Sequence, residues 1–213
     1  MNYKLKERVR FIFLVGVCLC CSCKQNFNSG DLIFVASENS DFEKSIAAVT
    51  KKKYDTITFS HVGILNVTDT GVFVVEAVPE KGVQYSKFED FKKENKGNKL
   101  FIGKLKKKYK KYGAAAVCRV CSHLGKAYDY AFVLNDDRYY CSELVYDAYA
   151  CVSNNPDFFE TPNMTFKKEG SNETLPFWIE YFNKLQLPIP EEKPGINPTA
   201  LSHSKKLKIK NYK

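Results

Sequence analysis

The stretch Tyr139-Tyr140-Cys141-Ser142-Glu143-Leu144-Val145-Tyr146 places a cysteine where an amphipathic helix begins, because Leu144, Val145 and Ala148 follow Cys141 at helical offsets. A helix N-terminus carries partial positive charge and N–H groups without intrahelical acceptors. That field favours thiolate over thiol, and the same N–H groups can hold a developing oxyanion. A free cysteine is most often a small buried hydrophobe. Cys141 becomes a nucleophile only if a base stands beside it.

The candidate base is His61, in Phe59-Ser60-His61-Val62-Gly63-Ile64-Leu65, which precedes Val72-Phe73-Val74-Val75-Glu76-Ala77. Both runs have strand composition, and Asn66 to Gly71 between them is turn-like. Pairing Leu65 with Val72 sets His61 opposite Glu76 on one face, with Cβ atoms about 5 Å apart. A carboxylate there fixes an imidazole's tautomer and orientation. Val62, Ile64, Phe73 and Val75 then form the other face and supply core. A register slip of one residue would put His61 and Glu76 on opposite faces, so the pairing is conditional on register.

Gly30-Asp31-Leu32-Ile33-Phe34, Ser60-His61-Val62-Gly63-Ile64, Val74-Val75-Glu76-Ala77 and Tyr140-Cys141-Ser142-Glu143-Leu144-Val145, in that order, resemble the YiiX/YebB-like group of NlpC/P60 papain-like cysteine hydrolases. The resemblance covers about residues 30–150, with Pro194-Gly195-Ile196-Asn197-Pro198-Thr199 as a further element. It implies a circularly permuted papain-like order in which histidine and third polar residue precede the cysteine. Carried over by position, Cys141 is the nucleophile, His61 the base and Glu76 the orienting carboxylate. It also implies amide hydrolysis without metal or organic cofactor.

The expected fold is α+β: a small antiparallel sheet or half-barrel with the Cys141 helix packed on it. Strands are expected at Leu32–Ala36, around His61 and Glu76, at Gly82–Ser86 and at Leu100–Leu105. Asp41–Lys52, capped by Asp41, Lys87–Glu94, Tyr112–Leu124 and Pro176–Leu185 read as helices. Asp31 reads as a turn residue at the start of a strand rather than a catalytic acid. Cys118 and Cys121 fall on the apolar stripe of the Tyr112–Leu124 helix. With no second ligand pair at zinc spacing, they and His123 read as packing. Tyr128 reads as a buried tyrosine that could also line the cleft. Leu187–Pro198 suits an extended wrap.

A chain of 213 residues with 44% hydrophobic content can bury one substantial core. Residues 1–22 have a basic n-region and a short apolar h-region, too short to span a bilayer, and read as a bacterial export signal. Leu19-Cys20-Cys21-Ser22-Cys23 resembles a lipobox, with Cys23 as lipid acceptor and Cys21 as the alternative. Residues 23–29 form a tether, 30–204 the hydrolase domain and 205–213 a frayed basic tail. Lys4, Lys6, Arg8 and Arg10 against Glu7 account for three units of the formal charge of +9, leaving +6 without the leader. Export argues against a nucleic-acid role for Lys106–Lys111.

The expectation is thus a monomeric envelope lipoprotein, membrane-bound through its anchor, that cleaves a peptide or related amide, with peptidoglycan-derived peptide as one candidate. Two alternatives stay open. One is an acyltransferase or esterase on lipids using the same triad. The other is a non-catalytic lipoprotein that binds peptide or lipid.

Overall fold

The computed structural model describes residues 26–168 and 170–212. The expected signal peptide and lipidation at Cys23 lie outside the described residues. Six strands form one antiparallel sheet in the order β4-β3-β2-β1-β5-β6. They are β1 (Leu32–Ala36), β2 (His61–Thr68), β3 (Gly71–Val78), β4 (Gly82–Lys87), β5 (Lys99–Leu105) and β6 (Leu207–Asn211). β1 is central and covered on both faces, so LIFVA is a continuous apolar run rather than an alternation. Leu32 and Phe34 point into the main core, Ile33 and Val35 into a second one.

The helices are α1 (Asp41–Thr50), α2 (Phe88–Glu94), α3 (Gly113–Cys121), α4 (Cys141–Ser153), α5 (Pro176–Leu185) and α6 (Pro198–Ser202). α4 buries Leu144, Val145, Ala148 and Tyr149 in the main core with Val62, Ile64 and Val75 of the sheet. On the other face Phe88 and Phe91 of α2 close the second core over Val35, Leu65, Val74 and Leu100. α5 adds Trp178 and Phe182, both almost fully buried.

Several details differ from expectation. Residues 207–211 are not frayed: Leu207 and Ile209 pack on the main core, and β6 pairs with β5. The tether is partly integrated, with Phe27 against the second core and Ser29 Oγ accepting from Val67 N–H. The N-cap of α1 is Ser40, in a reciprocal capping box with Glu43. In α3 the buried face is Ala116, Val117 and Val120, leaving Cys118 exposed and Cys121 half-buried.

Asp31 is fully buried, accepting from Asn28 N–H at 2.9 Å and from Leu105 N–H at 3.3 Å, and so ties the start of β1 to the end of β5. Gly30 before it has φ +90°, and a Cβ there would lie 2.3 Å from Gly113 Cα. The backbones of β1 and α3 approach closely only because both residues are glycine.

Candidate active site

Cys141 is the first residue of α4 and is buried. The helix starts there because Tyr140 is extended (φ −90°, ψ 167°) and Glu143 reaches back to Tyr140 N–H at 3.4 Å. Glu143 also accepts from Asn135 N–H at 3.1 Å. Burial first, then the charge of Asp129, push its carboxyl up to about 8 despite these donors. Ser142 Oγ donates to Ile196 C=O at 2.8 Å, and Ile196 N–H donates to Tyr140 Oη at 3.2 Å. The Pro194–Thr199 segment is thereby fastened to the start of the cysteine helix.

His61 opens β2, opposite Val35 of β1. Its position is braced from behind, where Phe59 N–H donates to Thr199 Oγ1 at 2.9 Å and Ser60 N–H to Val35 C=O at 2.9 Å. His61 Nε2 lies 2.6 Å from Glu76 Oε2, and Gln84 Nε2 donates to Glu76 Oε1 at 3.0 Å. Both oxygens of the buried Glu76 are thus engaged. With Nε2–H directed at the carboxylate, Nδ1 remains to exchange a proton with the thiol. Burial alone would lower the imidazole pKa, but hydrogen bonding and charge from Cys141, followed by those from Glu76, raise it from 6.5 to about 10. Cys141 on one side and the Glu76 carboxylate on the other thus both favour the protonated ring.

The structure brings Cys141, His61 and Glu76 together by a different register from the expected one. Leu65 pairs with Val74, not Val72, and the turn is only Asp69-Thr70 between Thr68 and Gly71. The shift is two residues, so no side chain changes face, and Glu76 reaches His61 diagonally. Gly63 makes room for the neighbouring Val74 side chain on the same face. A Cβ there would come 2.7 Å from Val74 Cγ1 and 3.4 Å from Glu76 Cβ.

Gln84 was missed by sequence reading, yet the signal existed. The β3–β4 turn at Pro79–Lys81 sets Val78 against Gly82 and therefore Glu76 against Gln84. Ser142 and Thr199 carried no comparable signal, because their partners are backbone groups far away in the chain.

The site opens into a cavity of about 830 Å³ where β1 ends and β2 begins, walled by α1, the end of α2 and the Pro162–Ser171 loop. Its apolar side is formed by Phe42, Ile46, Val49, Phe132, Phe166 and Trp178. Phe132 sits in the left-handed region (φ 56°), an uncommon conformation for a bulky residue. Asp129 holds it there by accepting from Ala131 N–H and Val133 N–H, both at 2.7 Å. Tyr128 is buried and lines the cavity, and burial, then the charge of Cys141, raise its phenol well above the usual value.

The family described as "Permuted papain-like amidase enzyme, YaeF/YiiX, C92 family" matches residues 26–209. The chain belongs to this family. A crystal structure of YiiX from Escherichia coli O157:H7, called a metalloprotein in its title, superposes with a TM-score of 0.64 at 26% identity, over 85% of this chain and 94% of that one. The uncharacterized protein YiiX of Escherichia coli K12 is 32% identical over 125 residues. That match takes in 57% of this chain and 56% of the relative, so the chain spans little more than half the length of the curated relative it matches. As a YaeF/YiiX-family protein the chain has the permuted papain-like fold, and the family is described as one of amidases. Among its described residues no group of three or more His, Cys, Asp or Glu side chains could hold a metal ion.

Proposed function

We propose that the protein is an exported, lipid-anchored cysteine hydrolase that cleaves amide bonds in cell-wall peptide or a related amide through Cys141, His61 and Glu76. The observation that carries this reading is the line Cys141–His61–Glu76–Gln84, with the histidine between a thiol and a buried, doubly bonded carboxylate. His61 Nδ1 takes the Cys141 proton, and Glu76 stabilises the imidazolium. The thiolate attacks the amide carbonyl, and N–H groups at the start of α4 bind the oxyanion. The imidazolium then protonates the departing amine, and water, deprotonated by His61, releases the acyl group from sulfur.

Export and anchoring rest on the sequence alone, with Cys23 as the lipidated residue in a bacterial envelope. Among the described residues no helix is long and apolar enough to cross a membrane.

The apolar side of the cavity favours a second reading, in which the scissile amide or ester carries an acyl chain held against Phe42, Phe132 and Trp178. The test uses protein with Cys118, Cys121 and Cys151 changed to serine. Rapid iodoacetamide alkylation of Cys141 at neutral pH, abolished by His61→Ala, is the expected result and justifies a screen of peptide amides against acyl amides and esters of increasing chain length. A slow thiol, indifferent to His61, overturns the hydrolase mechanism and leaves a binding lipoprotein.

A further inference from the structure

The corner of the molecule at the opposite end of the strands from His61 concentrates lysines. β5 leaves the sheet at Leu105 and runs into Lys107–Tyr112, KKYKKY. β6 returns beside it, with Lys104 directly opposite Lys208 and with Lys106 N–H donating to Lys206 C=O at 2.9 Å. Like charges set opposite each other across a ladder destabilise it. Among the described residues no carboxylate lies within ion-pair distance of these lysines. The Tyr109 phenol registers the field: a hydrogen bond with Lys108, then the charges of Lys108, Lys206 and Lys106, lower its pKa against the opposing effect of desolvation. This corner therefore holds positive charge that nothing within the described domain compensates.

Asn26, the first described residue, accepts a hydrogen bond through its carbonyl from Lys104 Nζ. Phe27 stacks with Tyr212 at 6.2 Å and meets Phe88 edge-on at 5.2 Å. Asn26 thus lies beside the Lys104 side chain, while Phe27 packs on the second core beside Tyr212, whose N–H donates to Leu100 C=O. Cys23 precedes Asn26 by three residues, a reach of at most about 11 Å.

We propose that this corner is a docking surface for an anionic phospholipid bilayer. Its orientation on the membrane rests on the reading of Cys23 as the anchor; charge-driven binding does not. One acylated residue and a polybasic patch on the same domain are two signals acting together, which is what stable anchoring takes. His61 pairs with Val35 at the level of Leu100, and Lys104 is four residues further along β5, roughly 14 Å away. With the lysine corner on the bilayer, the cleft stands clear of it, open to substrate held above the membrane.

The test uses protein without residues 1–25, which keeps all six strands and both cores, with near-UV circular dichroism as the control for fold. It is sedimented with vesicles of equal parts phosphatidylglycerol and phosphatidylcholine, and with phosphatidylcholine vesicles alone. Binding is expected to the anionic vesicles only, weakening as salt is raised. Replacing Lys107, Lys108, Lys110 and Lys111 with serine should weaken partitioning at least about 100-fold, at roughly fivefold per lysine. The same change at the exposed Lys44, Lys53, Lys96 and Lys184 should have little effect.

Equal loss in that control set, no preference for the anionic vesicles, or tighter binding of a short DNA duplex through the same lysines overturns the proposal. Acylation of Cys23 is read separately, from the mass of the mature N-terminus, so the two readings fail independently.

Discussion

Glu76→Gln isolates what the carboxylate contributes to the charged form of His61. The 2.6 Å contact to Nε2 joins a buried carboxylate to an imidazolium, and a hydrogen bond to a charged group is worth about 1.5–3 kcal/mol. An amide oxygen keeps the hydrogen bond and loses the charge. The expected loss is therefore the difference between a charged and a neutral hydrogen bond, about 1–1.5 kcal/mol, a roughly 5- to 13-fold fall in kcat/KM with the ring still held in place.

A second effect arises at Gln84. The new amide, with its oxygen on His61, turns its NH2 toward the NH2 of Gln84, which now donates to Glu76 at 3.0 Å. The clash is relieved if Gln84 flips and offers its own oxygen, so the variant should fold.

The pH profile is the more specific readout. His61 keeps its proton up to about 10, through Cys141 first and Glu76 second, so the active ion pair is lost as pH rises through that value. In Glu76→Gln the Cys141 contribution remains, and the alkaline limb should move down without reaching 6.5. The assay is kcat/KM against pH on a fluorogenic peptide amide, with near-UV circular dichroism as the control for fold. Activity within twofold of wild type and an unmoved alkaline limb, in a folded variant, would refute the assignment of Glu76.

Two further outcomes test the frame around the site. Glu143 has its folded pKa raised from 4.5 to about 8, so its stabilisation is complete below pH 4.5 and is lost as the pH rises through 8. Glu143→Gln should therefore match the wild-type Tm near pH 5 and exceed it at pH 8.5, and parallel Tm curves for the two proteins would contradict the burial argument. Thr199→Val keeps the shape of a fully buried side chain but removes the acceptor for Phe59 N–H, at an expected cost of about 1–3 kcal/mol in a urea titration. Its activity should fall as well, since Phe59 sets the approach to His61.

What the sequence disclosed of the fold follows from where the signals were local. The start of α4 was legible because the apolar offsets from Cys141 fix the phase of a long, well-buried helix. α3 was misphased because small residues crowd Gly113–Cys121, and alanine and cysteine suit a buried or an exposed face equally. β6 was read as a loose tail because three of its five residues are polar or charged; it exists through its pairing to β5, a contact across about a hundred residues that no local pattern encodes. Ser40 rather than Asp41 caps α1 because the Ser-x-x-Glu box places its glutamate at position 43.

The site was legible for a more general reason. A strand pair can slip by two residues and keep every side chain on its own face, so an inference that depends on facing tolerates even errors of register and fails only for odd ones. The His61–Glu76 pair passed through such an even error and still meets, diagonally, on one face. The residues that hold the triad from outside behave differently. Thr199 and Ser142 act through backbone groups of Phe59 and Ile196, whose chemistry is the same at every position in the chain. Only the folded chain identifies such partners. Changes at Ser142 or Thr199 should therefore lower activity through geometry, leaving the alkaline limb in place, whereas changes at Glu76 should move it.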